Sequence, residues 1–277
     1  MPSIRANGIN LFYEEEGDGY PLVFLHGWPG DHAMWLFQTP VFSAHYRVIV
    51  PDLRGHGRSE KPVGGYDMRT LAKDLNGLLD ELGVEKAFVV GGSFGGAIGE
   101  RFVIDYPEKV RAAVWVNSAT FPIGDDLMDT PTGERLPFVE VYLRPLRSGG
   151  YLQFWNTVWK PTLNDSPPYL FSKDFASSNL GGYIVKSFFE DRYARLNNDP
   201  APLIAIIESL KKETDLIEAG LRGSAVPAMI IAREGGEEQH KSLPMVEYRE
   251  IPNSGFFCYM EQPEAFNDAL SQFLSKH

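Results

Sequence analysis

Residues 87–106 read AFVVGGSFGGAIGERFVIDY: an apolar run, a glycine-rich break around one serine, and a helix-compatible run. The pattern predicts a buried strand, a tight turn and a helix, with Gly91-Gly92-Ser93-Phe94-Gly95 satisfying G-x-S-x-G in the required context. The demand on the turn is steric. A serine there takes strained backbone angles, tolerated only where its neighbours lack bulky side chains. The turn also places Ser93 at a helix N-terminus, where free N–H groups and the helix dipole favour negative charge. A glycine-rich turn that merely contains a serine is the plainer alternative, and the flanking strand and helix weigh against it.

Outward from this turn the pattern repeats. PLVFL (21–25) runs into HGWPG, and RVIVPD (47–52) into LRGHGRSE, so three strands end in glycine-rich turns. VRAAVWVN (110–117), PAMIIA (227–232) and VEYREIP (246–252) read as further strands. MRTLAKDLNGLLDELG (68–83) and PEAFNDALSQFL (263–274) read as helices, the second with proline in its first turn. Short apolar strands alternating with amphipathic helices predict an α/β protein with a mostly parallel, doubly wound sheet. Ligand sites of such sheets gather at the carboxyl ends of the strands, so the three turns should converge.

Residues 122–214 have another texture, with neither an alternating strand nor a repeat. They are read as a helical cap inserted into a core made of residues 1–121 and 215–277. Their many aromatic residues, Trp155 and Trp159 among them, serve mostly to pack a small cap onto the core; the remainder should line a cavity between the two. The expected ligand is a largely apolar or aromatic small molecule.

With 277 residues, 43% hydrophobic and 23% charged, the chain supports one large core and shows no sign of disorder. A net charge of -11 argues against nucleic acid or an anionic membrane as partner. The N-terminus lacks the basic and apolar blocks of a signal peptide and no run spans a membrane, so the expected location is cytoplasmic. The single cysteine, Cys258, excludes a disulfide framework, and six scattered histidines offer no metal site. No cofactor is expected.

Taken together, HGWPG (26–30), DLRGHGRSE (52–60), GGSFGG (91–96), YPEKV (106–110), VPAMII (226–231), IPNSG (251–255) and EQPEAF (261–266) resemble, in order, the motifs of cap-bearing α/β-hydrolases. The resemblance covers nearly the whole chain and implies an eight-stranded sheet. It casts Ser93 as the elbow residue and the backbone N–H groups of Trp28 and Phe94 as an oxyanion hole. Elbow serine, rather than the aspartate of dehalogenases and epoxide hydrolases, points to the esterase, lipase and lyase side of the family. His26 and His56 fall in structural loop motifs.

The remaining triad positions depart from the family pattern. Gly236 stands where the acid is expected, Asn117 and Ser118 occupy the alternative acid place, and Phe256 takes the place of the base histidine. Without a base a serine hydroxyl is a poor nucleophile. Three readings stay open. The first is an enzyme of non-hydrolytic chemistry on an apolar carbonyl compound, a cyclase, lyase, decarboxylase or isomerase, with Ser93 as hydrogen-bond donor and Trp28, Phe94, Trp155, Trp159 and Phe256 around the substrate. The second is an inactive binding protein or receptor. The third is a serine ester hydrolase whose base has moved to His240, near Glu234, Glu237 and Glu238; Cys258 and Tyr259 read as packed core.

Overall fold

The structure is a computed structural model that describes residues 3–118, 127–129, 134–163, 170–210, 220–233, 235–237, 241, 243 and 245–277. The strands in chain order are β1 (Ser3–Ala6), β2 (Ile9–Glu16), β3 (Tyr20–Leu25), β4 (Tyr46–Pro51), β5 (Ala87–Gly92), β6 (Val110–Val116), β7 (Leu127–Asp129), β8 (Arg135–Pro137), β9 (Ala228–Arg233) and β10 (Glu247–Ile251). Eight of them form one sheet in the order β1-β2-β4-β3-β5-β6-β9-β10. β2 runs antiparallel to β1 and β4, and every other neighbouring pair is parallel. The β1–β2 hairpin turns through Asn7 and Gly8 at φ 44° and 82°, the positive angles that let a two-residue loop follow the strand twist.

The parallel strands are apolar on both faces because helices cover both. β5 is buried at all six positions. The helix α1 (Met68–Glu81) is capped by Asp67, whose carboxylate accepts from Thr70 N, and it buries Leu71, Leu75 and Leu78. The helix α2 (Phe94–Asp105) starts at Ser93 and lies deep in the core. Because the chain passes from β3 out to β4 and returns to β5 on the other side of β3, the sheet order reverses there. That reversal opens a crevice between the carboxyl ends of β3 and β5.

Between β6 and β9 the described residues are chiefly helical: α3 (Phe138–Phe154), the turns Trp155–Trp159 and Val185–Arg192, and α4 (Ala201–Leu210). α3 kinks at Gly149 and at Gly150, the latter at φ 66°. The region differs from its sequence reading in one respect, since β7 and β8 pair as a small antiparallel ribbon. Strands of three residues are too short to show alternation, so the pattern had nothing to reveal. The chain closes with α5 (Pro263–Leu274). Among the described residues no helix is long and apolar enough to cross a membrane.

The segment lies over the strand ends and is tied down at several points. Asn197 Nδ2 donates to Pro29 O (3.1 Å), Phe257 N to Leu170 O (3.0 Å) and Ser209 Oγ to Tyr66 O (2.7 Å). Ser172 N donates to the buried Glu261 carboxylate, which also accepts from Gly255 N at 2.8 Å.

Candidate active site

Ser93 adopts φ 52° and ψ -118°, a left-handed conformation that non-glycine residues take only when their surroundings impose it. The surroundings are glycines. A Cβ at Gly91 would lie 2.3 Å from Gly95 O, and one at Gly95 would lie 2.3 Å from Leu25 O and 2.5 Å from His26 O. A Cβ at Gly27, in the turn after β3, would lie 3.2 Å from Ser93 Cβ and 3.8 Å from its Oγ. The two turns predicted to converge are therefore in contact, and only residues without side chains allow it. Ser93 N donates to Val116 O at 2.8 Å, which anchors the turn to β6. Its Oγ has no hydrogen-bond partner among the described residues.

Two backbone donors beside it are also unspent. Phe94 is the first residue of α2, where an N–H has no acceptor within its own helix. On either side Ser93 N is given to Val116 O and Ala97 N to Ser93 O, while Phe94 N donates to nothing among the described residues. Trp28 N likewise donates to nothing among the described residues, while Gly30 N closes the turn onto Gly27 O at 2.9 Å. Two histidines of these loops bond to the backbone around them, and the buried Nε2 of His56 has no partner among the described residues. His26 is buried, accepts from Leu53 N at Nε2 (3.0 Å) and bonds Gly27 O through Nδ1 (3.0 Å). His56 donates Nδ1–H to Arg54 O. Burial lowers both pKa values, that of His56 to about 3.

The loops after β6, β9 and β10 are bound to one another by one residue that sequence reasoning treated only as a missing acid. Asn117, buried and at φ 49°, gives Nδ2–H to Phe256 O (2.7 Å) and accepts Arg233 N at Oδ1 (2.9 Å). A positive φ on asparagine at a strand end was its only sequence signal, and φ is not written in a sequence. At Gly236 a Cβ would meet Ala232 Cβ at 2.7 Å and Arg233 O at 2.9 Å, so the position has no room for a side chain. At Gly255 a Cβ would come 2.5 Å from Phe171 Cα, because the cap backbone lies directly upon it.

The aromatic residues separate into two groups. Trp28 packs against Tyr142 (5.6 Å), Phe154 (5.1 Å) and Trp159 (5.7 Å), so Trp159 bridges cap and core. Trp155 lies one ring away, stacked on Phe189 (5.4 Å) inside the cap with its indole N–H toward Glu190. Phe256 is half-buried and set edge-on to Phe257 (5.4 Å). Phe257, which the sequence did not single out, is the buried one and reaches Trp159, Phe171, Phe189 and Tyr259. Nothing in the pair Phe256-Phe257 distinguishes the two in sequence; the direction of the turn does. Tyr259 stacks on Trp35 (4.5 Å), and burial pushes its hydroxyl and the Cys258 thiol up, the thiol to about 12. Both sit in the core. Glu237 is exposed, while Glu234, Glu238 and His240 lie outside the described residues.

A family model described as alpha/beta hydrolase fold matches residues 20–263. The chain is 43% identical to non-heme chloroperoxidase CPO-A1 of Kitasatospora aureofaciens over 291 aligned residues, which cover 98% of each. It is 28% identical to the soluble epoxide hydrolase of a Corynebacterium species, over 97% of this chain and 95% of that one. Among solved structures, the enol-lactonase from Burkholderia xenovorans superposes with a TM-score of 0.80 at 22% identity, covering 99% of this chain and 100% of the other. At that identity the likeness speaks for the fold alone.

Proposed function

The chain belongs to the α/β hydrolase fold family, and we propose that it is an enzyme acting on a carbonyl group of a largely apolar small molecule by chemistry that needs no imidazole base. The observation that carries this reading is the elbow itself: a strained Ser93 whose Oγ has no partner among the described residues, in contact with the turn of Gly27, where the N–H groups of Trp28 and Phe94 likewise have none among the described residues. In the proposed complex a carbonyl oxygen takes the N–H groups of Trp28 and Phe94, and Ser93 O–H donates a further hydrogen bond. Donors preorganised toward developing negative charge lower a barrier by about 3 kcal/mol each. Enolate-forming steps such as cyclisation, elimination, decarboxylation and isomerisation use that stabilisation without Ser93 losing its proton. The absence of room at Gly236 and the structural use of Asn117 support the idea that the acid and base are not supplied from their usual loops. Trp28, Trp159 and Phe256 would form apolar walls; Trp155 would act through the packing of the cap.

Hydrolysis is the second reading, favoured by the relatives, one of which is named a soluble epoxide hydrolase. It requires a base for Ser93, and His240 is the residue left for that task.

One experiment separates the readings. Wild-type protein and Ser93→Ala are incubated with a small-molecule extract followed by mass spectrometry, and in parallel the wild type is exposed to a fluorophosphonate probe. The expected result is a compound that wild type converts, Ser93→Ala converting it about a hundredfold or more slowly, with no adduct on Ser93. Stoichiometric phosphonylation of Ser93 favours hydrolysis. A compound retained tightly and chemically unchanged by both proteins identifies a binding protein instead.

A further inference from the structure

Directly after HGWPG the chain carries Asp31 and His32, two buried residues that neither the elbow nor the aromatic cluster uses. Asp31 Oδ1 accepts Ala33 N, capping the short turn His32–Trp35, and its Oδ2 accepts Arg192 Nε at 2.7 Å. Arg192 comes from the cap; the Asp31 side chain has no exposed surface, and the Arg192 side chain is 28% exposed. His32 N donates to Asp52 Oδ1 (2.8 Å), and its Nδ1 lies 2.6 Å from the same oxygen. The other Asp52 oxygen accepts Arg58 N at 2.7 Å. On the far side of the ring, His32 Nε2 lies 3.5 Å from Arg192 Nη2 and 3.4 Å from the half-exposed Glu14. Asp31, His32 and Asp52 bring ligand-type atoms within 4.8 Å of one another, but those atoms are committed to Arg192, to Arg58 N and to each other, as an ion-pair network.

We propose that Arg192 is a positioning residue that locks the cap onto the loop carrying Trp28 through the buried Asp31 carboxylate. The argument is one of donors and acceptors. A carboxylate can only accept, so a buried Asp31 needs a donor at each oxygen: Ala33 N serves Oδ1 from its own turn, and Arg192 serves Oδ2 from across the interface with a charge-assisted bond. His32 and Asp52 pair with each other beside it and complete the cluster. Arg192 and Arg58 are the opposing cations in the cluster, and Phe12 covers the ring at 5.1 Å. The lock is joined to the proposed oxyanion hole by three residues of chain, and Asn197 of the same cap segment binds Pro29 O. Its meaning for turnover rests on the proposed role of Trp28; the lock itself does not.

Hydrogen–deuterium exchange, corrected for intrinsic rates, tests the lock without a substrate. Arg192→Gln should raise opening of residues 26–35 and 185–197 by about tenfold, the factor expected for one lost charge-assisted hydrogen bond, and should leave residues 68–81 unchanged. Arg192→Lys should restore part of the protection. Unchanged exchange in a folded Arg192→Gln protein overturns the proposal, as does a rise spread evenly over the chain. Neither result bears on conversion by Ser93, which the Ser93→Ala comparison decides separately.

Discussion

Along the carboxyl edge of the sheet, the turns after β3 and β5 leave two backbone N–H groups and one hydroxyl without partners among the described residues, whereas the loops after β6, β9 and β10 are tied together through Asn117. The first half keeps polar groups unsatisfied at a cost that a folded chain bears only where something else will use them. The second half spends its polar groups on itself. Where a proton-transfer pair is expected by family resemblance, this chain holds an amide that bridges two backbones and a glycine with no space around it. The contrast lies between a turn pair held apart by glycines and a set of loops held together by one buried amide.

The contrast is open to being broken. The largest effect should come from Gly95→Val, which drives a branched side chain into Leu25 O and His26 O. The elbow cannot form around it, and denaturant unfolding should show a loss of more than about 3 kcal/mol, or no folded protein. Next is Asn117→Ala, which strands Phe256 O and Arg233 N and leaves alanine at a positive φ. A loss of about 2–4 kcal/mol is expected, with exchange rising in residues 253–257 and not in residues 91–97. A loss below about 0.5 kcal/mol would mean that the second half is not held as described.

The smallest effect concerns Glu100, buried on α2 with Ser118 Oγ at 3.5 Å. Burial raises its pKa to about 8, with Ser118 opposing. Between its unfolded pKa of 4.5 and about 8 the folded chain carries a proton that the unfolded chain lacks, so this group makes stability fall as pH rises through that window. Glu100→Gln should remove the slope, gaining on the order of 1–2 kcal/mol at pH 8 and little at pH 4.5. Thermal melts of both proteins across that range check it.

Much of this was legible in one dimension. The strands from PLVFL to VEYREIP and the helices 68–81 and 263–274 announce themselves because burial on one or both faces writes a period into the sequence. The elbow was legible for a related reason: glycine is required at fixed offsets wherever backbone meets backbone. The β7–β8 ribbon, too short to carry a period, was not legible. Nor was the place of Phe257 at the centre of the aromatic cluster, or the bond from Arg192 to Asp31, 161 residues apart.

The sequence by itself determined the α/β order and the glycine-flanked serine turn, since these are matters of residue type at local spacing. Only the tertiary structure decided which residues touch. That Asn117 binds two loops, that Gly27 abuts Ser93 and that His32 stands between Asp52 and Arg192 all depend on how strands distant in sequence are brought side by side. Hydrogen bonds and steric contacts act over a few ångströms, and that proximity is set by the packed sheet and not by the order of the chain.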